Sequence, residues 1–323
     1  MGHNDRPPII FSGNAHPALE AKICEYLRIE SHPVEVFKFK NDNTFVRIML
    51  NVRERDVFIV QPTVQPVNDH IMELLIMVDA CVRASAGRVT AVIPYYSYAR
   101  TDKKDQPRVP ITGRLIADLL KTAGASRAIL MDLHAGQVQG FFSFPVDELS
   151  ALPTLVNYFK ARDVSNHVVV APDVGVSKRA RDIALALNIP LAIVEKRRAS
   201  GGDVVEMFNV IGDVKGRTAI LVDDEIATGG TMVTAARALA EHGATGVSIA
   251  ATHPVLVGDC LAKLAALENV KEIVVTDTLP LPPDHETVSK GKLKPLSVAP
   301  LFAEAILRIN EGRSVGALFN GHD

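Results

Sequence analysis

The densest chemistry in this 323-residue chain lies at residues 219–231, AILVDDEIATGGT. The apolar run Ala219-Ile220-Leu221-Val222 has the composition of a buried parallel strand. Asp223 and Asp224 follow at once, then a loop closing on Ala227-Thr228-Gly229-Gly230-Thr231. Residues 232–240, rich in Ala with apolar residues at helical spacing, read as a helix. A strand, a Gly/Thr loop and a helix start make an anion site. The glycines let backbone approach the ligand, first-turn N–H groups point outward, and threonine hydroxyls add donors. Paired carboxylates would repel a bare phosphate, so the ligand must also present sugar hydroxyls or a metal ion. The plain alternative is a strand–turn–helix corner with an exposed acidic turn. Acids, threonines and glycines in this order favour the ligand.

Three further polar clusters follow apolar runs: Asp132-Leu133-His134, Pro172-Asp173 and Glu195-Lys196-Arg197-Arg198. In open α/β sheets ligands bind beyond the carboxyl ends of strands, so four clusters at such ends say more than any one of them. His134 alone reads as a structural histidine. With Asp173 at another strand end, a shared Mg²⁺ site is an equal reading. Lys196 and Arg198 alternate with Arg197 and so share one face of an extended segment. Both could reach one phosphate chain, the alternative being a solvated basic turn. Cations and Mg²⁺ supply the charge neutralisation that phosphoryl-group transfer needs.

The elements that must position these residues alternate along the chain. Strands are expected at 9–11, 34–39, 45–50, 57–61, 89–94 and 128–131, with helices at 17–28, 66–83 and 112–123. Residues 95–110, YYSYARTDKKDQPRVP, are too charged for a core element and read as a mobile loop. The second half repeats the rhythm, with strands at 167–171, 191–194, 247–252 and 272–276 and helices at 177–187 and 257–267. A last helix, 301–310, is expected to pack back on one half. Strands alternating with helices imply two similar α/β domains, 1–149 and 150–323, each a mostly parallel sheet flanked by helices. Length suits two cores. A net charge of −2 gives no bulk attraction to nucleic acid or anionic membrane. No apolar run reaches membrane-spanning length, and the start MGHNDRPP lacks a secretory pattern. Cys24, Cys81 and Cys260 are too few and too scattered for a disulfide framework or thiolate metal site. The expectation is a cytoplasmic protein.

The 219–231 loop resembles the phosphoribosyl-diphosphate signature of the type I phosphoribosyltransferase fold. Beyond it, PVNDHIMELLIMVDA, VIPYYSYAR, DLHAGQVQGFF, the Lys-Arg-Arg of 196–198, VDD, THPV and PLFAEAI resemble the ribose-phosphate pyrophosphokinases over nearly the whole chain. The resemblance implies transfer of the β,γ-diphosphoryl group of ATP to the 1-hydroxyl of ribose 5-phosphate. The products are 5-phosphoribosyl 1-diphosphate and AMP, and no protein nucleophile is needed. It further implies that His134 and Asp173 hold Mg²⁺ and that Lys196 and Arg198 are catalytic, steadying the transferring group. Asp223 and Asp224 would bind the ribose hydroxyls, and Ala227, Thr228, Gly229, Gly230 and Thr231 the 5-phosphate. Phe39, Asn41, Asn43, Arg100, Thr101, Lys103 and His134 would form the nucleotide site, with Lys104 on the same flexible loop. A homo-oligomer, either a hexamer or a smaller dimer-based assembly, is implied as well.

The departures from that family are specific. Ala227 stands where the family carries an acid, and Glu225 is the nearest carboxylate, on a different side of the turn. Asn41 and Asn43 replace two carboxylates near the base, and Thr101 replaces a glutamine. An amide both donates and accepts whereas a carboxylate only accepts, which leaves the donor open between ATP and another nucleoside triphosphate. Gln106, Pro107, Asn51 and Gly316 replace an arginine and three serines tied to phosphate and ADP control, while Arg53, Arg108 and Ser314 remain. Two rivals accompany this reading: a catalytically silent synthetase-associated subunit, and a base-consuming phosphoribosyltransferase. Retention of His134, Asp173, Lys196, Arg198, Asp223 and Asp224 opposes the first. The two-domain length and the Lys-Arg-Arg segment oppose the second.

Overall fold

A computed structural model describes residues 6–198, 206–316 and 318. The chain divides into two compact units, Met1–Ser150 with Thr278–Pro280 and Ser297–Asp323, and Ala151–Asp277 with Leu281–Leu296.

The first unit contains β1 (Ile9–Ser12), α1 (Pro17–Leu27), β2 (Val34–Lys38), β3 (Thr44–Ile48), β4 (Asp56–Val60), α2 (Val67–Arg83), β5 (Arg88–Ile93), α3 (Thr112–Ala123), β6 (Arg127–Met131) and β7 (Val146–Leu149). Its five-stranded sheet runs β1-β4-β5-β6-β7, every pair parallel. Strands such as Val57-Phe58-Ile59-Val60 are fully buried because helices cover both faces, so apolar residues run unbroken along them. Ile9, Val57, Ile59, Val89 and Ala91 form one core with Leu74, Met77 and Val78 of α2 and Ile116 and Leu120 of α3. The strands expected around residues 36 and 46 lie outside this sheet. β2 and β3 make a separate antiparallel hairpin that packs on α2.

The second unit contains α4 (Leu152–Lys160), β8 (His167–Ala171), α5 (Ser177–Leu187), β9 (Leu191–Arg198), β10 (Glu206–Ile211), β11 (Thr218–Glu225), α6 (Gly230–Glu241), β12 (Gly246–His253), α7 (Cys260–Ala266), β13 (Val270–Thr276), α8 (His285–Val288) and β14 (Leu293–Leu296). Strand order is β10-β9-β8-β11-β12-β13-β14, parallel except for β9–β10. Strand side chains alternate between two cores. Val168, Val170, Ala219 and Leu221 meet α6 and α7, whereas Val169, Ala171, Ile220 and Val222 meet α4 and α5. The final helix, α9 (Ala299–Asn310), belongs to the first unit and packs against α1. Arg88, which also pairs with Asp56, donates to the Ile309 carbonyl at 2.9 Å, and the Asn310 amide donates to the Arg6 carbonyl at 3.1 Å.

Two strands run further than their apolar stretches. β9 was expected to stop at Val194 but continues through Arg198, and β11 takes in Asp223, Asp224 and Glu225. In both cases a neighbouring strand supplies hydrogen bonds beyond the apolar stretch: β10 pairs Arg198 with Glu206, and β12 pairs Glu225 with His253. The helix expected from residue 257 begins at Cys260.

Candidate active site

β8 is a short interior strand of the second sheet, between β9 and β11. Its pairing with β11 ends at Val170–Leu221 and with β9 at Ala171–Ile193, while both neighbours run on. The chain leaves β8 toward β9 on one side and reaches β11 on the other, so this is the topological switch point where such sheets bind ligands. A cavity of about 300 Å³ opens there, lined by Pro172, Asp173, Val194, Phe208, Gly230, Thr231, Thr234 and Ala235. Thr234 escaped the sequence reading, although it lies three residues after Thr231 and so on the same helix face.

Asp173 immediately follows β8, and its Oδ1 accepts the N–H groups of Gly175 (2.7 Å) and Val176 (3.2 Å). Those bonds fix the carboxyl at the cavity wall, and among the described residues Oδ2 has no hydrogen-bond partner. Across the gap, at the end of β11, the Asp224 N–H donates to Asp223 Oδ1 at 2.8 Å. Burial, with Asp224 and Asp173 nearby, pushes the Asp223 carboxyl up to about 8. Glu225 is buried opposite His253 in β12, so it does not stand in for the acid missing at Ala227.

The loop from β11 to α6 is braced from beneath. Ile226 N–H donates to the His253 carbonyl (2.9 Å), Leu256 N–H to the Ile226 carbonyl (2.8 Å), and Val257 N–H to the Ala227 carbonyl (2.9 Å). Gly229 is the N-cap of α6, at φ +77° and ψ −3°, and no side chain caps the first-turn N–H groups. Thr228, Gly230 and Thr231 are exposed, whereas Gly229 is buried. A Cβ at Gly229 would stand 2.7 Å from Cys260 Sγ, so only glycine fits. The result is an open helix N-terminus beside two carboxylates.

Glu195–Arg198 extends past the end of β8, paired with β10 alone. For Lys196 and Arg198 the backbone is described; their side chains lie outside the described residues.

The remaining sequence candidates lie in the first unit. Phe39, Asn41 and Asn43 are exposed at the tip of the β2–β3 hairpin. Phe39 packs on Phe37 and Phe45 with centroids 5.2 and 5.5 Å away, and Asn41 Oδ1 accepts the Asn43 N–H at 3.3 Å. Arg100 and His134 are exposed. The Thr101 hydroxyl donates to the Tyr98 carbonyl (2.7 Å) and accepts the Gly113 N–H (3.1 Å), tying the loop to the start of α3. The buried Tyr96 hydroxyl donates to the Gly113 carbonyl (2.8 Å), so the expected mobile loop is pinned in its first third. Lys103 and Lys104 lie in its exposed remainder.

Among the described residues no three or more His, Cys, Asp or Glu side chains form a ready metal cluster. Mg²⁺ keeps most of its octahedron for water and phosphate oxygen and takes one or two carboxylates from protein. Asp173, whose Oδ2 has no hydrogen-bond partner among the described residues, and the nearby Asp223–Asp224 pair fit that kind of site.

The raised Asp223 carboxyl carries a stability signature. Its folded value lies above the ordinary aspartate range, so between about pH 4 and pH 8 the folded protein holds a proton that the unfolded chain releases. Stability of the ligand-free protein should therefore fall as pH rises through that window. Asp223→Asn should flatten the slope and raise the melting temperature at pH 8. Melting curves at pH 5, 6.5 and 8 read this; parallel slopes for wild type and variant would contradict it.

Two family models match the chain: the N-terminal domain of ribose phosphate pyrophosphokinase over residues 8–124, and the phosphoribosyl synthetase-associated domain over residues 203–320. The chain is 51% identical over 311 residues to a ribose-phosphate pyrophosphokinase of Caldanaerobacter subterraneus, covering 96% of this chain and 97% of that one. It is 46% identical over 311 residues to one from Bacillus caldolyticus, at 96% and 97% coverage. The crystal structure of phosphoribosylpyrophosphate synthetase from Mycobacterium smegmatis superimposes with a TM-score of 0.89 at 42% identity, covering 95% of this chain and 100% of that one.

Proposed function

The chain belongs to the ribose-phosphate pyrophosphokinase family, and from that premise we propose how its residues divide the work. The enzyme is a ribose-phosphate diphosphokinase: the 1-hydroxyl of ribose 5-phosphate attacks the β-phosphorus of the triphosphate, the bond from that phosphorus to the α,β-bridging oxygen breaks, and the nucleoside monophosphate leaves. ATP is the donor we assign.

The observation that carries the assignment is the switch point of the second sheet, where Asp173 and the uncapped start of α6 line one cavity and the end of β11 carries Asp223 and Asp224. The first-turn N–H groups with Thr228 and Thr231 hold the 5-phosphate. Asp223 and Asp224 accept the ribose hydroxyls, and the Ala227 side chain leaves the loop without the third acid. Lys196 and Arg198, on the extension of β9, neutralise the moving diphosphoryl group. Phe39, Asn41, Asn43, Arg100, Thr101 and Lys103 serve the nucleotide, Thr101 through the loop it closes. Mg²⁺, when bound, would supply positive charge to the phosphate oxygens; Asp173 in the second unit and His134 in the first are each assigned a part in holding it. AMP release from ATP and ribose 5-phosphate tests the reading. Activity should vanish with EDTA, and Asp173→Asn should need a higher Mg²⁺ concentration for half-maximal rate. Full activity without metal, or an unchanged Mg²⁺ requirement in the variant, would refute the metal assignments.

Regulation should be weaker than in the family. Where its pattern has anion-binding groups, this chain has Gln106, Pro107, Asn51 and Gly316, and two backbone N–H donors beside them are engaged locally. Asn51 Oδ1 accepts the Arg53 N–H at 3.0 Å, and Ser314 Oγ accepts the Gly316 N–H at 3.1 Å. Initial rates should depend little on inorganic phosphate, and ADP should inhibit chiefly by competing with ATP. Strong phosphate activation with ADP inhibition that saturating ATP does not relieve would show the opposite.

A further inference from the structure

The segment that carries His134 is held by a carboxylate from another strand. β6 ends at Met131, and the chain turns at Asp132, a buried non-glycine residue at φ +38°. Asp132 N–H donates to the Leu149 carbonyl (3.0 Å), and Ser150 Oγ donates to Asp132 Oδ1 (2.9 Å), which fixes the turn to the end of β7. The next amide, Leu133 N–H, donates to Glu148 Oε1 at 2.7 Å. The other oxygen of Glu148 accepts the Gln139 side-chain amide, from the 3₁₀ turn Gly136–Phe141. One carboxylate therefore grips the His134 segment on both sides, one residue before the histidine and five after it. An ionised carboxylate has two acceptor oxygens and no donor, which suits it to straddle two N–H groups.

We propose that Glu148 is a positioning residue that sets His134 for the nucleotide and its Mg²⁺. The proposal rests on the reading of His134 given above. Glu148 lies on the edge strand β7, away from the motifs that mark the site, and works through the backbone of the segment rather than through the histidine ring. Without it the Leu133 N–H loses a charged acceptor, the 3₁₀ turn loses its anchor, and the strained Asp132 turn is left to Ser150 and the β7 backbone.

Calorimetric ATP affinity, measured with and without Mg²⁺, and steady-state rates test this in the full chain for Glu148→Ala, Glu148→Gln, His134→Ala and the double variant His134→Ala/Glu148→Ala. Glu148→Ala should weaken Mg²⁺-dependent ATP binding by about 10- to 100-fold, raise KM for ATP far more than KM for ribose 5-phosphate, and leave the melting temperature nearly unchanged. Glu148→Gln should recover most of the affinity, because its amide oxygen still accepts Leu133 N–H and the Gln139 amide can turn to match. The double variant should be no worse than His134→Ala, since the two act as one unit. Wild-type ATP affinity in Glu148→Ala, with His134→Ala impaired, would overturn the positioning role and leave the His134 reading intact. Wild-type behaviour of His134→Ala would overturn both. A Glu148→Ala loss that adds in full to His134→Ala, or that strikes both substrates alike with a fall in melting temperature, would likewise overturn it.

Discussion

Lys196→Ala is expected to lower kcat by about 10²-fold or more, with KM for ribose 5-phosphate little changed and the fold intact. The expectation follows from the geometry of β9. The strand leaves its parallel neighbour at Ile193 and continues to Arg198 on the antiparallel support of β10 alone. Its backbone therefore carries residues 195–198 beyond the carboxyl edge of the sheet, next to the strand end that presents Asp173. Charge on the β,γ-diphosphoryl group redistributes in the transition state, so a cation carried on a hydrogen-bonded strand is worth more there than in the ground state. The loss should appear in kcat, and Lys196→Arg should recover part of it. Single-turnover rates separate chemistry from product release; a variant with near wild-type single-turnover rate would remove Lys196 from the chemical step.

Gly229→Ala is expected to raise KM for ribose 5-phosphate by about 10²-fold, the cost of displacing a phosphate cradle by about 1 Å. Two independent constraints meet at this residue. Its backbone is left-handed, which costs a residue bearing a Cβ about 1–2 kcal/mol. Its missing Cβ would also stand 2.7 Å from Cys260 Sγ and 3.6 Å from Leu264 Cγ, atoms buried in the core beneath the loop. Either the loop lifts from α7 or α7 shifts, and both misplace the first-turn N–H groups. Gly230→Ala is the contrasting variant for folding, because the nearest atom to its Cβ is the exposed Thr228 hydroxyl at 3.9 Å. Unchanged ribose 5-phosphate KM in Gly229→Ala would show that the loop adapts without losing its cradle.

Elements with a buried apolar stripe and a marked end were legible in the sequence. α3 and α5 have the expected bounds, and each stops at a residue that tolerates left-handed backbone, Gly124 at φ +104° and Asn188 at φ +55°. What escaped was structure made by hydrogen bonding without an apolar run. The ends of β9 and β11 are polar, β7 carries Asp147 and Glu148, and β14 is a four-residue edge strand containing Pro295. An edge tolerates proline and charge because one side of the ladder needs no partner. The cluster Asp223–Thr231 was legible for a different reason: its chemistry is contiguous. Glu148 was not, since its partner Leu133 N–H belongs to a segment fifteen residues away and backbone donors carry no residue-type signal. Glu73 in α2 is a second case. It is buried, and it receives the Asn14 side chain (2.9 Å) and Gln61 Nε2 (2.8 Å) at the close turn around Gly13.

The place of α9 bears on how the protein is made. A ribosome delivers the first unit's sheet early, yet the helix that packs on α1 emerges only after every strand of the second unit. Phe302 and Ile306 are fully buried in the finished unit, and the Arg88 and Asn310 bonds tie the end of α9 to β5 and to Arg6. The usual order of synthesis, in which the N-terminal domain is complete first, is therefore reversed. The unit begun first is finished last, and the outer face of α1 stays bare on the nascent chain until translation is almost over.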